Sequence, residues 1–353
     1  MNFPSVLGGN VTAIPYQNFN DSYVNDVNSY VTGVISLLSN CLLIYATSQV
    51  KSYTNSVRWS QYSISVLRIV FSLSIVLTCP SIEYVAETES LYIIKNGIDL
   101  PLALGESLLA VFIVAIVMSC NGPAVQYLQV TLLLSASAKS QSNSIIISLI
   151  PLLVAIPTVI LVYFGYIPLF YDVQVADYLL ERMGAQGSTS ILVITVHLAQ
   201  VNELTGHYDF DMMSQVCTFF ILIVMFLSLL VIIVCYLSIR SQMKYQSGMG
   251  TGSTATHSTQ EQLHMVLLIQ FVFPFITIHI PFYITFILPF FNNEIEFLTD
   301  HMLYLFSWCP AISPILVILM VQNIREVVIP EKIVIRRFGM YDRSSSRVFT
   351  TRS

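Results

Sequence analysis

Residues 216–239 read VCTFFILIVMFLSLLVIIVCYLSI, a run without Asp, Glu, Lys, Arg or His. Wound as an α-helix at about 1.5 Å per residue, the run reaches about 36 Å. That is enough to cross a hydrocarbon core, which about 20 apolar residues span. Six further stretches have the same character, at residues 29–47, 62–80, 103–133, 144–165, 265–290 and 302–322. The alternative is a buried core helix of a soluble protein. Seven in series exceed what one soluble core of 353 residues can hide. The composition agrees: 55% of residues are hydrophobic and 10% charged, against roughly 25% charged in a soluble domain, so the charge is missing from the helices. The expected fold is an all-α membrane protein, a seven-transmembrane helix bundle.

The sign of the charges between the spans sets an orientation. Of the 15 Lys and Arg, 13 fall on one side and only Lys95 and Arg182 on the other, which also carries 16 of the 20 acids. Excess Lys and Arg marks cytoplasmic loops, so the amino terminus is expected outside and the carboxyl terminus inside. Two glycosylation sequons, Asn10-Val11-Thr12 and Asn20-Asp21-Ser22, fall in the outer segment that this orientation requires. The expected divisions are an extracellular segment at 1–28, the bundle at 29–322 and a cytoplasmic tail at 323–353. No apolar core precedes the first span, which is expected to act as its own insertion signal. The net charge of −5 averages over two unlike faces, and no nucleic-acid partner is expected.

Six cysteines do not make a disulfide framework. Cys41, Cys120, Cys235 and Cys309 lie within spans, as small soft apolar side chains do. Cys79 and Cys217 lie near outer helix ends, but on spans two and five, which are seldom neighbours. The long outer loop at 166–215 contains a β-branched run, 191–196, too short to cross the membrane and read as a strand or hairpin capping the mouth of the bundle. The inner segment 247–262 is rich in Gly, Ser and Thr, a flexible composition. After span seven, Arg325, Lys332, Arg336 and Arg337 alternate with apolar residues around Pro330, a pattern suited to an anionic inner leaflet. The last residues set Ser344, Ser345, Ser346, Thr350 and Thr351 beside arginines, as a kinase-regulated tail or a solvated end does.

Within the spans the residues that can carry mechanism are few. Pro151, Pro157, Pro274, Pro281, Pro310, Pro314 and the pair Gly122-Pro123 each free a carbonyl four residues earlier and bend a helix. In a bilayer those carbonyls need neighbouring side chains or water. Asn40, Asn121, Gln270 and Ser313 lie deep in apolar surroundings, either as interhelical glue or as a polar switch layer whose bonds differ between two states. Arg68, placed about six residues into span two, is expected to extend its stem to inner headgroups. Glu106, at the outer end of span three, meets either a ligand amine or outer water. Phe220, Phe282, Tyr283, Tyr304 and Trp308, with His279, line a mostly apolar small-molecule cavity or belong to an aromatic belt. No nucleophile with its base, metal ligand set or phosphate loop is visible. The chain is therefore not expected to be an enzyme or to hold a metal or cofactor.

The stretch 258–281, with Gln262-Leu263, Gln270, Pro274 and Pro281, resembles helix six of the nematode serpentine chemoreceptors, the Str and Srd-like group. Trp308-Cys309-Pro310-Ala311-Ile312-Ser313-Pro314, followed by Asn323-Ile324-Arg325-Glu326, is similar to that group's Pro-x-x-Asp-Pro element and the arginine after it. Asn40-Cys41-Leu42-Leu43-Ile44-Tyr45 is similar to its opening motif. Three features depart from the pattern. Ser313 stands where the group often has Asp, and 125–129 lacks the aromatic-flanked arginine common at the inner end of helix three. The cysteines that tie helix three to the second outer loop in rhodopsin-like receptors are also missing. The resemblance implies a G protein-coupled chemosensory receptor in the plasma membrane, in sensory neuron cilia. Its ligand would be an odorant or a water-soluble cue bound among spans three, five, six and seven. Tyr127, Arg240 and Lys244 are then the expected contacts for a heterotrimeric G protein. A transporter or channel, or a non-signalling partner of other receptors, is the alternative.

Overall fold

The computed structural model describes residues 19–50, 53, 55–85, 90–135, 143–167, 190–195, 200–201, 208–209, 212–249, 254–287 and 296–329. Its helices are α1 (Phe19–Gln49), α2 (Asn55–Thr78), α3 (Leu102–Ser135), α4 (Asn143–Tyr166) and α5 (Met212–Met249). The sixth span is α6 (Thr254–Pro274), a π-helical turn at Phe275–His279, and α7 (Ile280–Ile287). The seventh is α8 (Glu296–Met320), followed by the short α9 (Gln322–Val328).

Among the described residues, six spans are long and apolar enough to cross a membrane, and α4 contributes the shorter apolar stretch Leu153–Tyr166. Together they make the seven-helix bundle. α3 runs through its middle, against α2, α4, α5 and α6, while α8 closes the ring against α1 and α2. The surface is inverted relative to a soluble protein. Leu153 is 68% exposed and Val234 65%, whereas Ser36, Asn40 and Gln270 are fully buried. Apolar burial between helices gains little against lipid tails, so packing and interhelical hydrogen bonds hold such a bundle together.

Helix ends differ from the apolar stretches that located them. α2 begins at Asn55 rather than residue 62, and α5 continues to Met249 rather than 239, because helices continue past the hydrocarbon edge with polar residues. Span six is not one bent helix. Between Pro274 and Pro281 the backbone, missing two N–H donors, widens into the π turn.

The mouth at the amino-terminal end of α1 carries a sheet. Strands β1 (Pro80–Val85) and β2 (Ser90–Lys95) form an antiparallel hairpin, and β3 (Ile191–Thr195) pairs antiparallel with β2. The expected cap strand is thus present at 191–195, with Val196 outside the described residues. Pro80, expected as the end of span two, instead opens β1. The turn between them is made by Cys79 at φ 36°. The amides of Asn96 and Gly97 then donate to Thr78 O at 3.0 and 2.8 Å, returning the hairpin to the end of α2. Ile82, Leu91, Ile93, Leu192 and Ile194 point down and join the core of α2, α3, α5 and α8. A second pair, β4 (Gln200–Val201) with β5 (Tyr208–Asp209), follows. The cap gives the second loop the anchor that the missing cysteines do not supply. Lys95 N donates to Ser190 O at 3.0 Å, and Ser190 Oγ donates to Leu102 O at the head of α3 at 3.1 Å.

Candidate functional site

Three constellations lie along the bundle axis. The first joins spans one, two and seven. Pro314 has no N–H to give to Pro310 O, and α1 satisfies that carbonyl from outside: Asn40 Nδ2 donates at 3.0 Å and Ser36 Oγ at 3.2 Å. Ser39 Oγ donates to the next carbonyl, Ala311 O, at 3.2 Å. Ser72 of α2 donates to Ser36 Oγ at 2.6 Å, and Arg68 Nη2 donates to Ser313 Oγ at 2.7 Å. A bend that costs a backbone bond is thereby tied to two neighbouring helices, as the bilayer requires.

Arg68 corrects an expectation. It is only 6% exposed and turns into the bundle, not toward headgroups. α2 starts earlier than its apolar stretch, so Arg68 sits about 16 Å along the helix from Val57 at the start of the span, too deep for its stem to reach the surface. Of the other buried polar residues, Gln270 Nε2 donates to Gln61 Oε1 across spans six and two at 3.1 Å. Among the described residues Asn121 bonds within its own helix, to Val117 O at 2.8 Å. Asn40 and Ser313 therefore share one seam, Gln270 belongs to a second link, and Asn121 joins neither.

The second constellation lies beneath the cap, on and after the π turn. His279 is 1% exposed, and among the described residues neither ring nitrogen makes a well-formed hydrogen bond, the Pro274 carbonyl being the acceptor within reach; the buried hydroxyl of Tyr283 has no partner among them either. The ring of His279 lies 5.8 Å from Phe275 and 6.2 Å from Tyr283, while Phe282 stacks on Phe286 at 4.1 Å. Phe220 of α5 packs, half-buried, against the same core. The structure thus sets His279 beside Tyr283, with Phe282 on the same segment, and places Phe220 on another helix against the same extended core. It places Trp308 elsewhere, with Nε1 donating to Asn28 Oδ1 of α1 at 3.1 Å. Tyr304, one turn earlier on α8, is half-buried and receives the Ser307 hydroxyl at its carbonyl, 2.9 Å away. Glu106 is buried at the head of α3, next to Gly105, where an added Cβ would collide with Ser190 of the cap.

The third lies at the opposite end. Tyr127 is fully buried with Ala124, Val130, Ile232, Cys235, Ile239 and Leu267, packing α3 against α5 and α6. In this conformation it is an internal contact, whereas Arg240 and Lys244 are exposed, one turn apart on α5. Asn10 lies outside the described residues. Asn20 falls in the first turn of α1.

Sequence reasoning missed the roles of Ser36, Ser72, Gln61 and Arg68, though their spacing carries a signal. Ser29, Thr32, Ser36 and Ser39 repeat at intervals of three and four in span one, as do Gln61, Ser65, Arg68 and Ser72 in span two. Each set lines one helix face, and small polar stripes of this kind mark helix–helix interfaces in membranes.

The fold is that of a seven-transmembrane helix bundle. The crystal structure of squid rhodopsin superposes with a TM-score of 0.59 at 13% identity, over 93% of this chain and 92% of that one. The family profile described as serpentine type 7TM GPCR chemoreceptor Str matches residues 25–329, and the chain belongs to that family. No curated protein matches it.

Proposed function

We propose that the protein is a chemosensory receptor of the plasma membrane, amino terminus outside, that binds a small molecule beneath the cap and signals through a heterotrimeric G protein. Buried polar atoms are normally hydrogen-bonded. The observation that carries the reading is the buried His279 ring at the end of the π turn and the Tyr283 hydroxyl one turn on, neither with a well-formed hydrogen bond among the described residues and both beside aromatic rings. A mostly apolar wall with a few convergent polar groups suits an odorant-sized or water-soluble ligand, and π turns recur at functional sites. Ligand bound there favours the arrangement in which span six pivots about Pro274–His279 and its cytoplasmic end leaves Tyr127. Moving such an equilibrium from 1:99 to 99:1 needs about 5.5 kcal/mol of differential affinity. Arg240 and Lys244 then serve the G protein.

The test is a G protein reporter assay on expressing cells against a panel of volatile and water-soluble small molecules, with non-expressing cells as control. A response lost in His279→Leu and Tyr283→Phe at equal surface delivery supports the reading. Ligand-dependent flux through liposomes without any G protein overturns it.

A further inference from the structure

If span six pivots, the inner ends of α5 and α6 have to part, and they meet at a titratable residue. The His264 ring of α6 lies 5.1 Å from the Tyr236 ring of α5, inclined by 52°. Both side chains are half-buried at the end of the bundle opposite the cap, and Tyr236 packs against the Tyr127 cluster. Arg240 follows Tyr236 by one turn on α5, and its charge reaches His264. Imidazole is the side chain whose charge ordinarily changes between pH 5 and 8. A proton on His264 therefore sets a second positive charge against Arg240 inside a partly dehydrated contact. Like charges held this close repel, and burial adds a solvation cost. Both costs fall away when α6 leaves α5 and the ring meets water. The surroundings supply no offset. α5 contains no acid, and Lys244 adds another cation one turn beyond Arg240. The acids of α3 and α8, Glu106, Glu296 and Asp300, lie toward the opposite end, and α3 brings Tyr127. α2, with Arg58 and Tyr62, meets α6 at Gln270, about 120° round the helix from His264. α8 and α9 meet it at Val266, on the far side, where Glu326 is held by Gln322 and Arg325 by Leu319 O. Glu261, three positions before His264 on α6 itself, travels with it and acts in both arrangements.

We propose that the His264–Tyr236 contact, faced by Arg240, is a proton-sensitive latch between spans five and six: uptake of one proton from the cytosol releases the inner end of α6, so acidification favours the G protein-coupling arrangement. The latch rests on the receptor reading above, because the pivoted arrangement is the one the proton selects.

The experiment is a spin-label distance measurement on the purified full-length protein in lipid nanodiscs. One label is carried by Trp59→Cys, at the exposed start of α2, and the other by Gln260→Cys on α6. The background is Cys41→Ala, because Cys41 is the exposed native thiol. The pH is lowered from about 7.5 to about 5.5, across the imidazole range. The longer-distance population rises at least about threefold relative to the shorter one, a single proton allowing up to about tenfold per pH unit. His264→Gln abolishes the dependence, and Arg240→Gln, at an exposed position, shrinks it. If His264→Gln does not fold, the wild-type titration and Arg240→Gln decide. Two populations whose ratio ignores pH, or a pH response unchanged in either variant, overturn the latch and leave the receptor reading standing. A single unchanging distance also overturns the latch, while the receptor reading stands or falls by its own reporter assay.

Discussion

At the residue scale, the decisive groups are those whose polar atoms have to be satisfied without water. Asn40 donates to a carbonyl that Pro314 has freed, so truncating it leaves that carbonyl only Ser36 among the described residues. Asn121 bonds its own helix and its loss breaks no interhelical link. Asn40→Ala is expected to lower stability by about 0.6 kcal/mol, and by no more than about 1.7. Asn121→Ala should cost less, and unfolding of both variants in nanodiscs checks the order. Cys79 gives a second check. Burial pushes its thiol up to about 12, so it stays protonated between pH 7 and 9, and the thiolate is the reactive form. A polar maleimide should label it only after unfolding; rapid labelling of the native protein at pH 7 would contradict its place under the cap. Depth in the membrane was legible for Asn40, Gln270 and Ser313 because apolar neighbours surround them. It was misjudged for Arg68, since hydropathy locates the apolar middle of a helix and not its first residue.

At the element scale, the sheet at the mouth and the broken sixth span set what the bundle can do. The run at 191–195 announced a strand, but its partners at 80–85 and 90–95 are short, carry Glu83 and Lys95, and look like loop until the long-range pairing is seen. Two prolines seven residues apart announced bends; that the relief takes the form of a π turn depends on the neighbours that accept Thr277, Ile278 and His279 as buried residues. Gly105 lets α3 approach Ser190 of the cap. Gly105→Val should push the second loop off the head of α3 and cost about 1–3 kcal/mol, read as a lower unfolding midpoint and faster proteolysis near residue 190. The exposed pair on α5 gives a functional counterpart. Arg240→Glu with Lys244→Glu is expected to weaken G protein coupling while surface delivery stays unchanged, and equal signalling would refute that docking assignment.

At the scale of the whole molecule, the seven-helix architecture was readable from apolar length alone, and the family from a few motifs in spans one, six and seven. At 13% identity the rhodopsin-like bundle persists because it asks only for apolar outward faces, small or polar inward stripes and bends whose carbonyls find partners. The site was less legible. Aromatic residues serve lipid-facing surfaces and cavities alike, so only the packed structure separates His279 and Tyr283 from Trp308. Direction across the membrane rests on the segregation of 13 of the 15 Lys and Arg to one side. The most direct measurement is antibody access to epitope tags on intact, unpermeabilised cells. The account predicts staining of an amino-terminal tag and none of a carboxyl-terminal tag until the membrane is opened. Staining of both tags on intact cells would contradict an odd number of crossings and the receptor reading built on it.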